Sequence, residues 1–328
     1  MNISKSAVVM AVVVALAALV WGCDSEAGAS SEEGGAFKVV ATTTMLEDMV
    51  KVLGGEYVEV EGLVSVGADP HVYQPRPSDA RMIAESDAVV MNGLLLEGWM
   101  ESLVRNAGGE RPVIVGGESI AEEDQLRVEG AVDPHVWFDV GLWRQVTDKV
   151  AEGLIELAGD DEAMAEDIRN RHREYDEVLA ELDEWVGERM QTVAEEQRVL
   201  ITSHDAFNYF GKAYGIDVEA VQGLSTEQEA SQRDVANIIE LVEERNAPAV
   251  FTETSVNPGL IEQVARETGA EAVGPLYSDS IGAAGSGADT YVAMVQANVE
   301  MITEALGGDY IVFDKDLLAN DVRGSDHE

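Results

Sequence analysis

Hydrophobic and polar positions along residues 37–306 switch repeatedly between the periodicity of strands and that of helices. Short apolar, β-branched runs such as Phe37–Thr42, Ala88–Asn92 and Ala249–Thr252 indicate buried strands. Between such runs, apolar residues three or four apart predict helices, as in Gly259–Thr268. Strands with little polar alternation, separated by helices, are typical of parallel sheets that are covered on both faces. The pattern therefore predicts an α/β fold.

The longest periodic segment is Asp161–Gln197, which contains no proline. Apolar residues recur there in steps of three and four, and Gly187 is the weak helix former in the segment. One continuous helix here would be about 54 Å long, more than a single small domain needs. It predicts a rigid connection between two lobes. A coiled-coil dimer is the alternative, although the apolar positions do not keep a strict heptad.

These elements predict two α/β lobes, each with a mostly parallel sheet flanked by helices, joined by one long helix. We expect the N-terminal lobe at residues 37–158, the linking helix at 159–198 and the C-terminal lobe at 199–312. Residues 313–328 are expected to form a C-terminal tail.

The first residues carry a targeting signal. Lys5 precedes an uninterrupted apolar run, Ala7–Val20, which is too short to span a bilayer but suits the core of a signal peptide at residues 1–22. The one cysteine of the chain, Cys23, follows directly, in a pattern that resembles a bacterial lipobox. We therefore expect a lipidated Cys23 and a flexible tether at residues 23–36, which makes the protein extracytoplasmic and anchored to the membrane. An ordinary secretory signal is the alternative.

The charge balance narrows the possible partners. Asp and Glu number 63 against 21 Lys and Arg, a formal net charge of −42. Nucleic acid and anionic lipid are excluded as electrostatic partners, because both require a basic surface. The hydrophobic content of 46% argues for a folded chain rather than a disordered one. Only six of the basic residues are Lys, and acid-rich, Lys-poor surfaces are typical of proteins that work in concentrated salt. An acidic surface that collects cations is the alternative.

Two of the five histidines occur in two copies of the same sequence motif. Residues 69–73 and 133–137 both read Asp-Pro-His-Val followed by an aromatic residue, and their histidines are His71 and His135. Proline fixes its own backbone and restricts the residue before it, so each imidazole is presented on a stiff turn. Rigid presentation is what a metal site requires of its ligands.

Two further candidate ligands follow predicted strands. His204 follows the predicted strand Val199–Thr202 after a single residue, Ser203, and Asp279 comes after the short predicted strand Ala272–Val273. The carboxyl ends of strands in open α/β sheets are where functional side chains gather. His172 lies among charged residues on the long helix, and His327 is in the terminal tail, so neither is expected to be a ligand.

Together these motifs resemble the cluster A-I metal-binding lipoproteins of ABC importers, a zinc- and manganese-binding group that includes proteins first described as adhesins. The matching segments occur in the order of the family and are DPHVYQPRPSD (69–79), DPHVWFDV (133–140), TSHDAFNYFGKAYGI (202–216), VFTETSVNP (250–258) and LYSDSIG (276–282). The resemblance implies two α/β lobes linked by a long helix. It also implies one metal ion between the lobes, bound by His71, His135, His204 and Asp279.

The resemblance further implies that the protein binds and delivers a metal ion and does not catalyse a reaction. The protein would be a monomer that captures a divalent transition metal outside the cytoplasm and delivers it to an ABC permease. Family members with a histidine in the third ligand position, as in His204, bind zinc or take both metals, so Zn²⁺ is favoured over Mn²⁺. Three imidazoles with one carboxylate also suit zinc. Residues 118–130 contain no histidine, although many dedicated zinc members carry a histidine-rich loop there, and this keeps manganese open. We expect Asp205, Glu253 or a backbone carbonyl to accept a hydrogen bond from the ring N–H of a metal-binding histidine.

Other functions fit less well. In a zinc hydrolase, Glu253 would act as general base, but Asp279 would close the open coordination position that catalysis needs. A surface adhesin is a second alternative, although the chain has no repeat array that would build an adhesive surface. A binding protein for a metal chelate would need an aromatic or basic pocket, whereas only 6% of the residues are aromatic.

Overall fold

A computed structural model describes residues 36–313. Several predictions lie outside the described residues: the signal peptide, the expected lipidation at Cys23, nearly all of the tether, His327 and residues 314–328 of the tail. Within the described part, no helix is both long and apolar enough to cross a membrane.

The first lobe is built on a parallel sheet of four strands with the order β2-β1-β3-β4. The strands are β1 (Phe37–Ala41), β2 (Val58–Gly62), β3 (Ala88–Met91) and β4 (Val113–Val115). The helices that connect them are α1 (Thr44–Gly54), α2 (Pro77–Ala84) and α3 (Met100–Ala107). Strands β1 and β3 lie in the middle of the sheet and are buried on both faces, which explains their continuous apolar runs.

Two helices follow a short hairpin of β5 (Arg127–Val128) and β6 (Ala131–Val132). They are α4 (Val140–Ala158) and α5 (Glu162–Thr192), and they contact each other along their lengths. The prediction of one helix over Asp161–Gln197 was wrong in its length, since α5 has 31 residues and extends for about 46 Å. The Asp161 side chain caps its first turn by accepting backbone N–H groups from residues 163 and 164.

The apolar face of α5 is covered by helices of the same chain. Its buried residues include Ile168, Leu179 and Leu182, and α5 contacts α1 and α4 as well as the last helix of the chain. Packing within the chain therefore buries the apolar face of α5, which a coiled-coil dimer would have buried against a second copy.

The second lobe repeats the strand–helix alternation. Its strands are β7 (Val199–His204), β8 (Asp217–Gln222), β9 (Ala249–Glu253) and β10 (Glu271–Leu276). Its helices are α6 (Asn208–Tyr214), α7 (Gln232–Arg245), α8 (Gly259–Thr268) and α9 (Tyr291–Ala305). The pairs β7–β8 and β9–β10 form two parallel two-stranded sheets, and β7 lies beside β9.

One apolar core extends through both lobes. Its largest fully buried side chains include Trp137 and Trp143 from the first half of the chain and Phe207 and Tyr291 from the second. Trp143 and Tyr291 stack with ring centroids 5.2 Å apart. A wide separation of the lobes would expose this core to water, which is costly because each buried aromatic ring contributes a large apolar area. The expected lobe boundaries at residues 37–158, 159–198 and 199–312 remain a prediction.

Candidate metal centre

Four side chains from four separate segments converge between the lobes. One potential ligand atom from each of His71, His135, His204 and Asp279 lies within 4.8 Å of the others. The imidazole centroids are 5.2 to 5.9 Å apart. His71 is 8% exposed, whereas the other three are at most 1% exposed. The structure thus brings together the four residues that the sequence singled out, and it is the one such group among residues 36–313.

Three of the candidate ligands lie at or near the boundary of a regular element, and the fourth, His71, lies in a loop. His71 lies in the connection between β2 and α2, and His135 directly precedes a single helical turn at Val136–Phe138. His204 is the last residue of β7, and Asp279 follows β10. The carboxyl ends of parallel strands meet at one edge of the sheet, so the second lobe delivers its two side chains to the same place.

The imidazole of His135 is held by a carboxylate two residues earlier in the chain. Asp133 Oδ1 accepts the backbone N–H of His135 at 2.9 Å and lies 2.7 Å from its ring Nδ1. Asn208 donates to the other oxygen of Asp133 at 3.1 Å. With Nδ1 engaged in this way, Nε2 of His135 faces the centre as a lone-pair donor. The sequence analysis did not predict Asp133 as the hydrogen-bond partner of His135, although both lie in the repeated motif.

Glu253 plays the same part for His204. The backbone N–H of His204 donates to Glu253 Oε1 at 2.8 Å, and its ring Nδ1 contacts Oε2. Glu253 ends β9, which lies beside β7, so the two residues are neighbours across adjacent strands. Asp205, the other side chain considered for this part, contacts none of the histidine rings through a hydrogen bond; Asn208 is its side-chain partner.

Two buried polar atoms in the centre have no hydrogen-bond partner among the described residues. They are Nε2 of His204 and Oδ1 of Asp279. The second carboxylate oxygen of Asp279, Oδ2, accepts a hydrogen bond from Ser255 at 2.7 Å. Buried polar atoms are almost always paired, since an unpaired one costs about 1 to 3 kcal/mol. A cation bound between these atoms would satisfy both.

Burial and neighbouring charges shift the pKa values of the centre in different directions. Burial lowers the pKa of His71 to about 3, with the neighbouring imidazoles acting in the same direction, so this ring is neutral at pH 7. Burial raises the pKa of Asp279, but the adjacent imidazoles of His204 and the other histidines outweigh it and leave the pKa well below its usual range. Burial also lowers the pKa of His204, while the carboxylates of Glu253 and Asp279 raise it by more. Their negative charge would equally attract a metal cation.

The remaining described histidine lies away from the centre. His172 is on α5, where its Nε2 is 2.8 Å from Asp148 Oδ1 of α4. This pair is a solvent-exposed contact between two helices, and His172 is not among the four residues that converge at the centre.

Comparisons with known proteins establish the family. The sequence profile of the ZnuA family, described as "Zinc-uptake complex component A periplasmic", matches residues 39–305. The match covers most of the chain, and the chain belongs to this family. The solved structure of the periplasmic zinc-binding protein TroA from Treponema pallidum is similar with a TM-score of 0.80 and 35% sequence identity, covering 83% of this chain and 99% of that one. This likeness confirms the predicted fold of two α/β lobes joined by a long helix.

Curated relatives carry the names of different metals. "Manganese-binding lipoprotein MntA" of Halalkalibacterium halodurans is 32% identical over 295 residues, which cover 90% of this chain and 97% of the relative. "Zinc-binding protein TroA" of Treponema pallidum is 36% identical over 274 residues, covering 82% and 88%. "Iron ABC transporter substrate-binding lipoprotein MtsA" of Streptococcus pyogenes serotype M1 is 28% identical over 290 residues, covering 86% and 93%. The chain is thus a binding component of the metal-importer class and not an enzyme.

Proposed function

We propose that this protein captures one divalent transition-metal ion through His71, His135, His204 and Asp279. The observation that carries the proposal is the convergence of four ligand atoms within 4.8 Å, two of which, on His204 and Asp279, are buried without a hydrogen-bond partner among residues 36–313. Metal binding displaces any proton on the imidazoles, so affinity decreases as the pH falls.

Zinc is the preferred ion in this proposal. Ser255 donates to Oδ2 of Asp279, and Oδ1 is the carboxylate oxygen without a hydrogen-bond partner among the described residues, 3.7 Å from Nε2 of His135. Three nitrogen donors and one oxygen donor form a four-coordinate set, which suits Zn²⁺, whereas Mn²⁺ favours more oxygen ligands. Competition between Zn²⁺ and Mn²⁺ for the purified protein tests this preference, and tighter binding of Mn²⁺ would reverse it.

The captured ion is delivered to an ABC permease from outside the cytoplasm, with the protein anchored through a lipidated Cys23 and acting as a monomer. The lipobox-like sequence and the relatives named as lipoproteins support the anchor. Detergent phase partition of the mature protein tests it, because a diacylated protein enters the detergent phase.

Metal titration of single alanine variants tests the site. His135→Ala is expected to lose at least tenfold in zinc affinity, because it removes a fully buried ligand. His172→Ala is the matched control, since it removes an imidazole that pairs with Asp148 outside the centre. Unchanged affinity in His135→Ala would rule out the proposed ligand set.

A further inference from the structure

The two Asp-Pro-His motifs have the same sequence, but their aspartates make different hydrogen bonds. In the second, Asp133 holds both the backbone N–H and the ring of His135. In the first, Asp69 Oδ1 accepts only the backbone N–H of His71, at 2.8 Å, and its Oδ2 accepts a hydrogen bond from Thr226 Oγ1. The aspartate that could have held the first imidazole therefore connects its loop to another part of the chain.

This connection joins the two lobes. Asp69 lies between β2 and α2 of the first lobe, and Thr226 lies between β8 and α7 of the second. Both side chains are partly buried, so solvent competes only in part for the hydrogen bond. A hydroxyl that donates to a carboxylate makes one of the stronger kinds of hydrogen bond in proteins.

The hydrogen bond lies beside the opening of the metal centre. A cavity of about 580 Å³ is lined by His71 and by Leu224, Ser225 and Glu227, which flank Thr226 in the same loop. His71 is the most exposed of the four candidate ligands, and it is the one that lines this cavity. The candidate centre is therefore nearest to solvent on the side where the two loops meet.

Elsewhere the lobes are joined more firmly. Trp137 donates from its indole to the carbonyl of Ser278 at 2.9 Å, and Tyr291 donates to the carbonyl of Trp137 at 2.7 Å, both within the shared core. Exchange of the ion by wide separation of the lobes would break these buried contacts. Local movement of the loop that carries His71 requires much less rearrangement.

We propose that the hydrogen bond between Asp69 and Thr226 is a latch that slows metal exchange. It ties the His71 loop to the second lobe, and Thr226 is a positioning residue that acts on His71 through Asp69. This inference rests on the proposed function, because it requires a metal ion at His71. A second bond from the same segment, from the Gly67 N–H to Ser280 Oγ at 2.8 Å, remains when the latch is removed. Loss of the latch should therefore speed exchange without abolishing binding.

The test is the rate at which zinc leaves the loaded protein when excess EDTA is added in a stopped-flow instrument. Thr226→Val removes the hydroxyl with little change of shape and is expected to raise the dissociation rate about tenfold, the effect of losing one hydrogen bond to a charged group. Thr226→Ser retains the hydroxyl and should stay within twofold of the wild type. Thr303→Val is the matched control, because the buried Thr303 hydroxyl in α9 has no hydrogen-bond partner within the described part of the chain.

Three outcomes would overturn the latch. They are a wild-type rate in Thr226→Val, a rate in Thr226→Ser as fast as that of the valine variant, or an equal acceleration in Thr303→Val. Thr226→Ala, which cannot introduce a steric clash, should match the valine variant and guards against a local folding defect. Failure of the wild-type protein to bind either Zn²⁺ or Mn²⁺ would instead refute the proposed function, so the two failures are distinguishable.

Discussion

Replacing Asp133 by Asn perturbs the metal centre without removing a ligand. Asp133 is fully buried and accepts hydrogen bonds from the backbone and ring of His135, at 2.9 and 2.7 Å, and from Asn208 at 3.1 Å. An asparagine retains one carbonyl oxygen, and its NH₂ group must face either Asn208 or His135, where it meets another donor. The negative charge that makes the His135 ring a better electron-pair donor is also lost. We expect a 10- to 100-fold weaker affinity, or about 1.4 to 2.7 kcal/mol.

The affinity is measured by competition for Zn²⁺ with a chromophoric chelator of known affinity. Asp148→Asn is the matched control, because it makes the same substitution in an exposed pair with His172 that lies outside the centre. Circular dichroism shows that each variant is folded before it is titrated. Equal zinc affinities in Asp133→Asn, Asp148→Asn and the wild type would refute the view that Asp133 orients His135 for the metal.

Three further outcomes are expected. Glu253→Gln should lower zinc affinity by a similar 10- to 100-fold, because Glu253 holds His204 through two hydrogen bonds, and the same competition assay checks it. Zinc at a thousandfold excess over its Kd should stabilise the fold by about 4 kcal/mol, seen by calorimetry as a higher Tm that chelator reverses. Arg144 donates two hydrogen bonds to Asp176 and lowers the pKa of that carboxyl. The pair should therefore stabilise the fold above the unfolded-state pKa of Asp176, and that contribution should disappear as the pH falls through the folded-state pKa. Urea unfolding should accordingly show Asp176→Asn less stable than wild type by about 0.5 kcal/mol at pH 7, and the difference should shrink as the pH falls through the folded-state pKa of Asp176.

Local hydrophobic periodicity was sufficient to predict most regular elements, because burial on the faces of a parallel sheet leaves a continuous apolar run. The helix Gly259–Thr268 has the bounds expected from the sequence, and the strand expected at Ala249–Thr252 extends by one residue. Strand β8 was missed because Asp217–Gln222 lies beside only one other strand and alternates polar with apolar residues. Helix α4 was missed although its signal was present, an Asp139 cap followed by apolar residues at helical spacing.

The candidate ligands could be predicted from a repeated motif and from the ends of strands. The hydrogen bonds that orient these side chains could not. Asp69 and Asp133 are both the first residue of an Asp-Pro-His-Val motif, yet only Asp133 forms a hydrogen bond with a histidine ring. The difference depends on residues distant in sequence, since Asn208 donates to one aspartate and Thr226 to the other. Contacts of this kind are set by how the lobes meet, and local sequence does not encode them.

X-ray diffraction from crystals grown with zinc, recorded above and below the zinc absorption edge, tests the central claim most directly. The account predicts one zinc ion between the lobes, bound by Nε2 of His71, His135 and His204 at about 2.0–2.1 Å and by an oxygen of Asp279 at about 2.0–2.2 Å. An anomalous peak at another place, or an ion at this place that lacks His204 and Asp279 as ligands, would contradict it.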